Sequence, residues 1–79
     1  MSQSAISWND LIKKKATGID DCDIGHIQEV KVDLIVTKKG ILDKKRYYLP
    51  KNLIVGFDRH TVYFRIMKAE TLQFQRNND

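Results

Sequence analysis

The chain has one cysteine, Cys22, so it cannot form a disulfide within itself, and nothing points to an oxidising compartment. It has one proline, Pro50, and only four glycines, and no low-complexity segment or internal repeat appears. No apolar run approaches the roughly 20 residues of a helical membrane span. The opening Met1-Ser2-Gln3-Ser4-Ala5 lacks the basic and apolar stretches of a signal peptide, so a cytoplasmic protein is the expectation. No catalytic constellation is present. The expectation is a non-enzymatic protein with no cofactor, no metal and no membrane insertion.

What is present is an ordinary globular composition. Of 79 residues, 42% are hydrophobic and 30% charged, enough for one domain and too apolar for a disordered chain. A domain this small buries only about 60–65% of its unfolded surface and needs a tight core, a partner or both. The net charge is +4, which permits contact with nucleic acid without requiring it.

Residues 1–6 read as a polar leader. Ser7 is placed to cap a short helix over Trp8-Asn9-Asp10-Leu11-Ile12, whose Trp8, Leu11 and Ile12 share a face. Ala16 to Ile19 reads as a short first strand, and Asp20-Asp21-Cys22-Asp23 as a turn. Ile24 to Val30 reads as a strand in which Gly25 marks a bulge or a close backbone approach. Residues 24–38 allow two readings: one long strand with an irregularity, or two strands joined at Lys31-Val32-Asp33. Arg46 to Leu49 is a strand ended by Pro50, Leu53 to Val55 a short buried strand, and Asp58-Arg59-His60 a hairpin turn. Thr61 to Ile66 is the clearest strand: Val62, Phe64 and Ile66 alternate with Thr61, Tyr63 and Arg65. Met67 to Arg76 reads as a helical turn or an edge strand. The domain is placed at residues 7–67 and a partly ordered C-terminal extension at 68–79. About six short strands joined by turns imply an all-β fold, and so short a chain favours closure into an antiparallel barrel that hides its edges.

Four groupings invite a chemical reading. Asp20, Asp21, Asp23 and His26 supply metal-ligand types, yet their spacing fits no known loop, and a solvated turn is the better reading. Cys22 with either histidine lacks any marked oxyanion donor, which a thiol nucleophile requires. Lys38, Lys39, Lys44, Lys45 and Arg46 form a basic segment followed by Tyr47 and Tyr48; cations beside aromatics can hold phosphates and stack bases. Thr61, Tyr63 and Arg65 face outward, with the composition of a protein-binding hot spot, and Ile35 is expected to join them as an exposed apolar residue.

The order of segments resembles the PRC-barrel family. The residues that carry the likeness are Trp8-Asn9-Asp10-Leu11, the strand Ile24-Gly25-His26-Ile27-Gln28-Glu29-Val30, the strand end Arg46-Tyr47-Tyr48-Leu49-Pro50-Lys51, and the hairpin Phe57-Asp58-Arg59-His60-Thr61-Val62-Tyr63-Phe64. It spans roughly residues 8 to 67 and is nearest to small stand-alone archaeal members, some of them linked to cell division. The resemblance favours two strands within residues 24–38. It implies a non-enzymatic adaptor that docks on protein or ribonucleoprotein partners and self-associates, here as a homodimer. An RNA- or ribosome-associated small basic barrel is the alternative it leaves. The chain departs from the family at its turns: Asp20-Asp21 stands for Asp-Gly, and Asp58-Arg59-His60 for Asp-Gly-Asp.

Overall fold

The computed structural model describes residues 8–40, 42 and 44–76. The leader, the Ser7 cap and residues 77–79 lie outside them. Strands β1 (Lys15–Gly18), β2 (Asp23–Val30), β3 (Leu34–Lys39), β4 (Lys45–Pro50), β5 (Ile54–Phe57), β6 (Thr61–Phe64) and β7 (Gln75–Arg76) form one sheet. Its order is β5-β6-β1-β2-β3-β4-β7. Every pairing is antiparallel except β1 with β6, which is parallel.

β2 and β3 are two strands, as the resemblance favours. The Lys31 N–H donates to the Leu34 carbonyl at 2.8 Å across Val32-Asp33, closing a tight hairpin. Near its start β2 must pass one extra residue against β1, between the pairs Lys15–His26 and Thr17–Asp23. Gly25 takes that strain at φ +93°, and a Cβ there would sit 2.4 Å from the Lys38 carbonyl oxygen. The Thr37 hydroxyl on β3 donates to the Ile24 carbonyl at 2.7 Å, tying the irregular stretch of β2 to its neighbour.

One face of the sheet carries the core. Ala16, Ile24, Ile27, Ile35, Tyr47, Leu49, Val62, Phe64 and Ile66 pack together, so the sheet curls about its own apolar face. A 3₁₀ segment, Trp8–Leu11, adds the buried Leu11, with Trp8 and Ile12 packed against the same cluster. A second, Lys51–Leu53, links β4 to β5, and a third, Lys68–Phe74, brings the chain back so that Phe74 reaches the core and β7 pairs with β4. Residues 68–76 thus contain both readings offered for them, helical turns followed by an edge strand.

The expected all-β fold of about six short strands is met by one sheet of seven, but that sheet does not close into a barrel among the described residues. Pairing runs from β5 to β7 and stops, leaving an open seven-stranded sheet with two edges. β7 offers only two residues, and β5 is broken by a bulge between Ile54 and Gly56, so neither edge presents the regular ladder that closure needs. No described helix is long and apolar enough to cross a membrane.

Candidate functional site

Residues directly opposite each other on paired strands point to the same side, about 5 Å apart. Tyr47 and Leu49 lie in the core, so Arg46 and Tyr48 face out; Ile35 and Thr37 are buried on the core side, so Lys38 faces out. The register then aligns Lys15 with His26, His26 with Lys38, Lys38 with Arg46, and Arg46 with Arg76. Basic side chains from five strands therefore stand in one row across the outer face. Lys15 is followed on β6 by Thr61. The adjacent outer row holds Glu29, Val36 and the half-buried Tyr48.

The basic segment read from the sequence is divided by this geometry. Lys38 and Arg46 belong to the outer row. Lys39 and Lys45, paired with each other one position along, turn to the opposite side and line a groove of about 840 Å³ beneath the Lys68–Phe74 segment. The Lys39 ammonium donates to the Asp23 carbonyl there at 3.1 Å. Lys44 is exposed in the loop before β4. The sequence could not reveal that Lys15, His26 and Arg76 join Lys38 and Arg46, because that depends on pairing between distant segments. The one ion pair among the described residues is Lys31 with Glu29 at 3.5 Å, so no described carboxylate pairs with the row.

Thr61, Tyr63 and Arg65 do face outward, with Tyr63 36% exposed and Thr61 half-buried. Ile35 does not join them: it is 0% exposed and part of the core cluster, and its expected place on the surface is corrected. The physical reason is the hairpin register, which sets Ile35 opposite Leu49 on the core side. Two residues flank Tyr63 instead, one of them Val55, whose expected place in a buried strand Leu53 to Val55 is corrected, since the strand is Ile54–Phe57 at the sheet edge. Val55, 54% exposed, sits in the β5 bulge with no partner on β6. Phe57 pairs with the buried Val62 yet remains 48% exposed, because no strand of the described residues lies beyond β5 to cover it.

The turn joining β5 and β6 is built by Asp58. Its carboxylate accepts the N–H groups of His60 and Thr61 and the Tyr63 hydroxyl, each at 2.9 Å. These bonds, the His60 N–H foremost, hold the Asp58 carboxyl below its ordinary value, and the same carboxylate pushes the Tyr63 phenol up. The aspartate side chain thus closes the turn by capping its own backbone. At the first loop Asp21 takes a left-handed backbone, φ 64°, which aspartate tolerates better than most residues.

The acidic loop does not assemble a metal centre. Asp20 accepts the Lys68 N–H at 3.0 Å and the Cys22 N–H at 3.3 Å, Asp23 accepts the Gly25 N–H at 2.9 Å, and His26 faces the outer row. No group of three metal-ligating side chains converges among the described residues. Burial, and next the bond and charge of Asp20, push the Cys22 thiol up, opposite to the shift that activates a thiolate. No family model matches the chain, and no curated protein matches it closely enough to count as a relative.

Proposed function

We propose that this chain is a non-enzymatic interaction module that self-associates through the β5–β6 edge of its sheet. The observation that carries the proposal is the uncovered end of the core. Phe57 lies on the core side, opposite a fully buried valine, but is half exposed, and Val55 and Tyr63 are exposed beside it on the outer side. Apolar side chains uncovered on both sides of one edge strand are what a second strand would bury.

The edge is short and bulged but lacks the chemical devices that keep strands apart. β5 reads Ile54-Val55-Gly56-Phe57, with no charge and no proline, and its bulge is the single irregularity. The opposite edge, Gln75–Arg76, is two residues long and charged. A second copy is the natural occupant, because two β5 strands can meet antiparallel about a two-fold axis. The PRC-barrel resemblance supports the same reading of an adaptor that self-associates, and a place in an archaeal division assembly rests on that resemblance alone.

The test is the mass in solution. The wild-type chain is expected to sediment as a dimer, and Val55→Asp as a folded monomer, because it places a charge in the uncovered patch without touching the core. Val55 serves better than Tyr63, whose hydroxyl holds the Asp58 turn. A wild-type monomer at high concentration, or a Val55→Asp dimer as tight as the wild type, would overturn the reading.

A further inference from the structure

The outer row of cations is independent of the β5 edge and asks for its own ligand. We infer that Lys15, His26, Lys38, Arg46 and Arg76 form a binding track for single-stranded nucleic acid.

Lys38, Arg46 and Arg76 stand on directly opposed positions, and like charges so placed repel and work against folding. His26 stands between Lys15 and Lys38, and Arg46 between Lys38 and Arg76, with about 5 Å between neighbours. Lys15, His26, Arg46 and Arg76 are exposed and Lys38 half-buried. The ion pair that the fold does make, Glu29 with Lys31, lies off the row. A surface that gathers cations from four strands, with a histidine among them and no ion pair on the row among the described residues, attracts a polyanion.

The shape of the row selects among polyanions. The cations stand in single file across the strands, which matches a linear chain of phosphates better than the plane of charge that a membrane presents. The row crosses five strands of a sheet that buries its opposite face, and a flexible strand can adapt to such a track more closely than a stiff duplex. Tyr48 lies on the same face, two residues along β4 from Arg46 and half-exposed, where a base can stack on its ring. At the β1 end the row runs on toward a shallow recess lined by Lys13, Lys14, Arg59 and His60, with Asp10 as its one carboxylate.

The experiment is fluorescence anisotropy of a labelled oligouridylate of about 20 nucleotides, long enough to span the track. Three to five phosphate contacts should make affinity fall roughly 20- to 100-fold between about 50 and 200 mM salt. Lys38→Gln/Arg46→Gln should weaken binding at least about tenfold at the lower salt and flatten the salt slope by about 1.4. Lys39→Gln/Lys45→Gln removes the same charge one residue away but on the groove side, and should change binding less than about twofold. The row variant should also melt no lower than the wild type, since it relieves repulsion, so weakened binding will not reflect unfolding. Lys15→Gln/Arg76→Gln, at the two ends of the track, gives a second reading should the first variant fail to fold. Absence of binding at low salt, equal losses from the row and groove variants, or tighter binding of a duplex of the same length would overturn the inference. So would row-dependent binding to phosphatidylserine vesicles with none to the oligouridylate.

Discussion

At Gly25 a side chain is excluded twice, by a φ of +93° and by the Lys38 carbonyl oxygen 2.4 Å from any added Cβ. Gly25→Ala is expected to destabilise the fold by more than about 1 kcal/mol, read as a lowered denaturant midpoint. The cost should be local to β2 and β3, and should appear first as loss of amide protection at Ile24 and Thr37. Two carboxylates contribute to the acid limit. Backbone N–H donors hold Asp58 (from His60) and Asp20 (from Lys68) below the ordinary value, as their largest causes. A carboxyl lowered in the folded state contributes stability that is fully present above the unfolded value, about 3.9, and is lost as pH falls through the folded value. The melting temperature is therefore expected to drop below about pH 4, and Asp58→Asn or Asp20→Asn to make that drop shallower. Gly25 was legible in the sequence as a bulge. The role of Asp58 was legible only as a turn, because the bond to Tyr63 depends on where that side chain points.

At the scale of elements, local pattern decided what could be read. β6 follows from the alternation of Val62 and Phe64, which Ile66 continues although the strand ends at Phe64, two residues short of the expected Thr61 to Ile66; all three prove fully buried or nearly so. The β2–β3 hairpin was ambiguous from alternation alone, because the Gly25 bulge shifts the phase that alternation depends on. β7 was illegible for a different reason. A two-residue strand has no period, and it exists because Phe74 docks on the core and lays Gln75 beside Tyr47. Phe74→Ala is expected to cost about 2 kcal/mol, less than a fully buried phenylalanine, and to release residues 68–76 to proteolysis while β1 to β6 remain protected. The candidate faces follow the same rule. Tyr63 and Arg65 were visible as outward positions within one strand. The cation row was not, because it requires the registers of β1, β2, β3, β4 and β7 together.

At the scale of the whole molecule, closure was expected from a general rule, that short chains hide their edges. Here the edges differ instead: β7 is short and charged, while β5 is apolar and open. A 79-residue domain carrying +4 has little stability to spare and repels its own copy at long range. Salt therefore separates the two proposed contacts. Self-association through the uncharged β5 should tighten as salt screens that repulsion, whereas nucleic-acid binding on the outer row should weaken. The most direct test of the open edge is a dilution series followed by amide NMR and hydrogen exchange. Self-association at β5 requires the amides of Val55, Gly56 and Phe57 to shift and lose protection on dilution, while Gln75 and Arg76 on the opposite edge stay unchanged. Concentration-independent spectra at β5, or changes concentrated at β7, would contradict it.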